Sequence, residues 1–471
     1  MTRLVAVVAG FVVLCSVGVT APAFGAGGGR GIEVKPESNL AALVQQQPPG
    51  TTFQIKAGTY RMQSLQPKSG DAFVGESGAV LSGAQTLTGF SQSGQAWTAK
   101  VQLTGSASPH GTCADDHPAC GYPEDLFVDD TPLERVGSEG EVGPGKWYLD
   151  YGSQTAYVGT DPQGHRVEIS VIPHAFSGQA QNVHIEGLTI EKYACPAQDG
   201  AVDGKQSSNW VVENNVIELN HGIGLRVGNG MQVLNNKLVH NGQMGVGGGG
   251  SNVLVDGNEI AFNNYAGFRF SWEAGGSKFV FTKGLIIRNN NAHDNLGPGL
   301  WTDIENDGVL YEHNHTSHNQ EAGIFHEISY KGVIRNNVVE DDGFNPNGKT
   351  APWYGAGIIV TASEDVEIYG NTVTNCMNGI VALQTDRGGS KQRGTPYIVR
   401  NLYVHDNVIT QNQGIAAGIM RSGSTGDAVY NQWNNRFANN QFHLADEHAK
   451  AFAWRGTTIS HDEWTATVNK R

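Results

Sequence analysis

Asparagine returns along the second half of the chain at Asn215, Asn236, Asn258, Asn290, Asn314, Asn337, Asn371, Asn407 and Asn440, and the compact intervals are 21 to 24 residues long. A repeat of that period is the signature of a solenoid, in which each unit buries its apolar side only by stacking on the next. Stacked asparagines hydrogen-bond to one another as a ladder, so this column is structural. Between the asparagines lie short apolar runs and a recurring Gly-apolar pair: Gly224-Leu225, Gly245-Val246, Gly267-Phe268, Gly299-Leu300, Gly323-Ile324, Gly357-Ile358, Gly379-Ile380 and Gly418-Ile419. Each pair supplies a rung to a continuous interior.

These runs are β-rich and show little helical periodicity outside the two ends. The fold class they specify is all-β, a right-handed parallel β-helix of the pectate-lyase-like solenoid kind, its hand following from the rule for parallel crossovers. Residues 27–89 read as an N-terminal cap and first coils, with Ser38 expected to cap a short amphipathic helix. Residues 90–172 break the repeat and read as a small inserted β module; 173–445 form the β-helix and 446–471 a C-terminal cap. Residues 1–26 carry Arg3, an apolar run and Ala23-Phe24-Gly25-Ala26, the pattern of a cleaved secretory signal, so a secreted, extracellular protein is expected.

A formal net charge of −14 argues against nucleic acid, whose phosphates require a basic surface. A neutral carbohydrate is the expected partner, with no membrane contact once the signal is removed. In an exported chain Cys113 and Cys120 bracket a short loop and are expected to form a disulfide, whereas Cys195 and Cys376 lie several coils apart and are expected as buried thiols.

Set one above the other, Gly299-Leu300-Trp301-Thr302-Asp303-Ile304-Glu305 and Gly323-Ile324-Phe325-His326-Glu327-Ile328-Ser329 align at an offset of 24 residues. Side chains alternate along a strand, so Leu300, Thr302, Ile304 and His326 are predicted inward, and Trp301, Asp303, Glu305, Phe325 and Glu327 outward. An aspartate and a glutamate are thereby stacked on one face. Such a pair supplies the acid and the nucleophile or base of glycosidic cleavage, and neighbouring like charges raise one pKa. Asp303 and Glu327 are the catalytic candidates. Trp301, Phe325, Trp272, Glu273, Lys278, Arg269, Glu305, His326 and Trp353 are the substrate-binding candidates, with Tyr354 a further aromatic; His326 by its parity is also readable as a core histidine. No ligand spacing is diagnostic for a metal, and no cofactor is expected.

Trp301-x-Asp303 and, one coil later, Phe325-x-Glu327 resemble the paired acids of the parallel β-helix glycosidases, notably the β-xylosidase group. The resemblance implies a glycoside hydrolase in which Asp303 is nucleophile or base and Glu327 the acid/base. Stacking on adjacent strands, about 4.7–4.9 Å apart, lies nearer the ~5–5.5 Å separation of retaining enzymes than the ~6.5–9.5 Å of inverting ones. Two alternatives remain at this stage: a polysaccharide lyase or uronate epimerase of the same fold, recruiting cations such as Arg269 and Lys278, and a non-catalytic glycan-binding surface solenoid.

Overall fold

The computed structural model describes residues 31–468, apart from 106–108, 345–352, 412 and 425. The signal sequence expected over residues 1–26 lies outside the described residues. Among these, no helix is long and apolar enough to cross a membrane.

Three long sheets, one of thirteen strands and two of twelve, run the length of the molecule with almost entirely parallel pairing. Successive strands of one coil fall in the three different sheets, so the chain winds as a parallel β-helix. Its interior is filled by stacked apolar rungs. Val212, Val233, Val255, Ile287, Tyr311 and Ile334 form one such column, and each is fully buried.

The asparagine ladder forms as expected: Asn290 Nδ2 donates to Asn314 Oδ1 at 3.0 Å and Asn314 Nδ2 to Asn337 Oδ1 at 3.0 Å. The doubled Asn-Asn words have a backbone cause. The first residue of each, as at Asn214, Asn235, Asn289 and Asn336, has positive φ, a region asparagine tolerates better than most residues, and the second enters the ladder. Sequence inspection missed a second ladder, Asn220, Asn241, Asn263, Asn295 and Asn319, ending on Asp342.

Both ends of the solenoid are covered, as exposed strand edges and an open core require. The helix Leu40–Gln46 buries Leu40 and Val44 over the first coil; its N-cap is Asn39 rather than Ser38, because the Asn39 side chain is the one that accepts from Ala42 N. At the other end the helix His461–Thr467 inserts Trp464 against Phe437 and Phe452. A four-stranded and a five-stranded sheet, built from strands between Ala84 and Ser170, are separate from the three long ones, and their buried Leu126, Trp147 and Ile169 join the same apolar core. Cys113 and Cys120 are disulfide-bonded, and Cys195 and Cys376 are buried thiols.

One coil departs from the predicted register. The rung before Leu300–Thr302 is the strand Gly275–Phe279, not Gly267-Phe268. A Cβ on Gly276 would lie 2.5 Å from Gly299 O, which is the close approach the stacked position demands, whereas Phe268 packs on Cys120 and Ala274 outside the solenoid. Residues 272–279 are thus the end of the helix Phe270–Glu273 followed by the strand itself.

Candidate active site

Strand Leu300–Thr302 pairs with Ile324–Glu327 through Leu300 with Ile324, Trp301 with Phe325 and Thr302 with His326, which stacks Asp303 over Glu327. Outward residues of this face make a wall. The Trp301 and Phe325 rings stack at 5.3 Å with 7° between their planes, and Tyr354 meets Phe325 edge-on at 5.8 Å. One coil earlier Lys278 places its Nζ 4.0 Å over the Trp301 ring and 2.9 Å from Asp303 Oδ2. Asp303, Glu327, Lys278, Trp301, Phe325 and Trp272 line one cavity of about 630 Å³, within the size range of small-molecule sites.

The two acids are 5 % and 3 % exposed, because loops rise around this face. Burial, reinforced by the Asp303 charge, pushes the Glu327 carboxyl up to about 7, against the opposing pull of Arg387 and Lys278. Arg387, from the loop that follows the strand Ile380–Gln384, donates to Glu327 Oε1. Among the described residues, Asp303 Oδ1 and Trp301 Nε1 are buried with no hydrogen-bond partner; both residues line the cavity, where a hydroxyl-rich ligand would satisfy them.

Register changes immediately after Asp303. Three residues, Asp303 to Glu305, separate Thr302 from Asn306, but only two separate His326 from Ser329. Glu305 N donates to Ile328 O at 2.9 Å, so Glu305, not Ile304, stands over Ile328. The extra residue makes a bulge in which Ile304 and Glu305 have φ of +61° and +63°, costly for a β-branched residue. Ile304, predicted inward, therefore faces the cavity.

The other candidates divide. Glu273 lines the cavity and accepts from Gln198 Nε2. Glu305 accepts from Tyr397 OH and is absent from the cavity wall. Trp353 packs behind the platform, where its neighbour Tyr354 reaches the cavity. Arg269 binds Asp115 at 2.8 Å in an adjoining cleft, because its segment is not a rung of the solenoid. His326 is no substrate contact: it is fully buried inside the helix, its Nδ1 2.8 Å from Thr302 Oγ1, and burial lowers its pKa to about 3. Arg387, Glu321 and Ile304 are cavity residues that sequence reasoning missed. Arg387 sits in the loop after Gln384, and no repeat marks which residue of that loop turns back onto Glu327.

Away from the cavity, His184, Glu186 and Glu213 bring three potential metal-ligand atoms within 4.8 Å of one another. Similar cross-strand pairs, His315 with Glu340 and His405 with Glu367, recur along the solenoid exterior, as surface ion pairs do.

Comparison with known proteins agrees with this architecture. Residues 200–373 match the family model described as a right-handed β-helix region. The structure of XylC in complex with xylose superposes with a TM-score of 0.66 at 12% identity, covering 88% of this chain and 83% of that one. The mannuronan C-5 epimerase AlgE6 A-module of Azotobacter vinelandii gives 0.46 at 14% identity, covering 89% and 91%. A catalytic domain of a GH87 α-1,3-glucanase bound to tetrasaccharides gives 0.44 at 11%, covering 90% and 67%. No curated protein matches the sequence.

Fold and comparisons together define a right-handed parallel β-helix protein. It is similar in fold to a β-helix solved with a bound sugar.

Proposed function

We propose that the protein is an exported glycoside hydrolase that cleaves a neutral oligo- or polysaccharide, with Glu327 as acid/base and Asp303 as nucleophile or base. One observation carries this reading: the two carboxyl groups are stacked on adjacent rungs and open on the same aromatic-walled cavity. Their surroundings differ in the sense the chemistry needs. Glu327, held up to about 7, retains a proton near neutrality to give to the departing glycosidic oxygen; Asp303, with Lys278 as counter-ion, attacks the anomeric carbon or directs a water to it. In the retaining form the C–O bond to the leaving sugar breaks as the Asp303 ester forms, and Glu327 then takes the proton of the water that hydrolyses that ester. Stacking on neighbouring strands favours this form. Trp301 and Phe325 offer flat apolar surface to the sugar ring.

A lyase or epimerase acting on uronates needs cations free to neutralise the substrate carboxylate. Lys278 and Arg387 are the cations on this wall, and both are bonded to the catalytic acids, which weighs against that alternative. The non-catalytic alternative predicts that the acids are dispensable.

The test is a screen of aryl glycosides and neutral polysaccharides, beginning with xylosides because XylC was solved with xylose. New reducing ends that depend on both Asp303 and Glu327 are expected, with activity down at least ~10³-fold in Asp303→Asn and Glu327→Gln. Unsaturated products absorbing in the ultraviolet would identify a lyase instead, and activity unchanged in both variants would remove these residues from the mechanism.

A further inference from the structure

A second cleft of about 620 Å³ lies beside the first, and Phe270 and Ser271 line both. Its far wall comes from the inserted module: Asp115, Asp116 and His117, inside the disulfide loop. That loop is built onto the solenoid rather than draped over it. Ala114 N donates to Gly267 O at 2.9 Å and Arg269 N to Thr112 O at 2.8 Å, while Arg269 also binds Asp115. His221 holds the loop's other end, with Nδ1 3.0 Å from Asp125 Oδ2 and Nε2 2.9 Å from Cys120 O. At Gly267, φ is +79° and a Cβ would fall 2.2 Å from the His117 ring, so this glycine is what allows the loop to seat.

The lining combines Asp116, exposed and free to accept hydrogen bonds, the half-buried amide of Gln320, and Leu296 at 40 % exposure. Hydroxyl acceptors and donors beside an apolar side chain suit the polar rim and C–H faces of a sugar. Asp115 is balanced by Arg269, which leaves Asp116 as an uncompensated acid among the described residues, so a uronate is disfavoured.

We propose that this cleft is a second carbohydrate subsite, built by the inserted module, which binds further units of a neutral glycan whose neighbouring unit occupies the Asp303/Glu327 cavity. The Phe270–Ser271 ridge is the crossing point between the two. This rests on the glycosidase reading of the first cavity, and the experiment separates the two.

The full chain is assayed on neutral oligosaccharides of the xylan, β-1,4-glucan and β-1,3-glucan series, from disaccharide to pentasaccharide. The same sugars are titrated calorimetrically into Glu327→Gln. kcat/KM and affinity are expected to rise with chain length, and the double substitution Asp116→Ala/Gln320→Ala is expected to remove about tenfold of that rise, equivalent to ~1.4 kcal/mol, with Tm unchanged. Binding that lengthens with chain and is lost in the double variant, but without hydrolysis by the wild type, supports the subsite and sinks the glycosidase reading. No dependence on chain length, no binding in any series, or a length dependence untouched by the double variant overturns the subsite.

Discussion

Lys278 stands one rung before Asp303, its ammonium 2.9 Å from the carboxylate and both side chains nearly buried. The lysine is placed there by Gly275–Phe279 being the strand of that coil, and it covers the Trp301 face that would otherwise stay open. A charge pair held in a dry site is worth far more than at a surface, and removing one partner leaves the other uncompensated.

Lys278→Met keeps the packing on Trp301 and removes the counter-ion. The expected outcome is a fall in kcat of about 10²–10³-fold, larger than any change in KM, measured by steady-state kinetics on the substrate found in the screen. An unchanged kcat would mean that Lys278 serves the fold alone.

Arg387 pulls the Glu327 carboxyl downward while burial and Asp303 push it to about 7. The acid works only while protonated, so kcat/KM is expected to decline as pH rises through that value. Arg387→Met removes the lowering influence, and the alkaline limb is expected to move to higher pH in a pH–rate profile. A shift in the opposite direction, or none, would count against Glu327 as the proton donor.

Deleting Ile304 removes the extra residue of the bulge and restores the two-residue spacing found beneath it at Glu327 and Ile328. Bulges beside active sites re-aim side chains. The deletion is therefore expected to abolish activity while Tm falls little or rises, since a strained β-branched left-handed residue costs ~1–2 kcal/mol. Wild-type activity in the deletion would show that the bulge does not orient Asp303.

Asp342 ends the second ladder in place of an asparagine, accepting from Asn319 N, Asn319 Nδ2 and Thr316 Oγ1 at 2.8, 2.9 and 2.7 Å. Full burial raises its pKa to about 7 from an ordinary 3.8. Its unfolded-state carboxyl ionises first, so the folded state loses stability relative to the unfolded one as pH rises from about 4 to about 7, and the loss then levels off. Asp342→Asn supplies the residue every other rung uses. It is expected to stabilise the protein by roughly 1–4 kcal/mol above pH 7 and to flatten this part of the pH dependence, measured by urea denaturation across pH.

The β-helix, the disulfide and the stacking of Asp303 on Glu327 were legible in the residues alone. A solenoid repeats one local solution, and its period, its Asn-Asn words and its alternation of facing are all properties of neighbouring residues. Parity also placed His326 inside correctly. It failed at Ile304 on the preceding rung, two residues past Thr302, because a single-residue bulge breaks alternation without changing composition, and it failed at Gly267-Phe268, where two glycine-led segments competed for one rung. Which segment stacks follows from packing, since it depends on the room Gly299 and Asn295 leave for Gly276. Long-range folding brought Arg387 onto Glu327 from 60 residues away and the disulfide loop of the module onto the segment that divides the two clefts. Those contacts join residues whose separation follows no period, and no local rule encodes them.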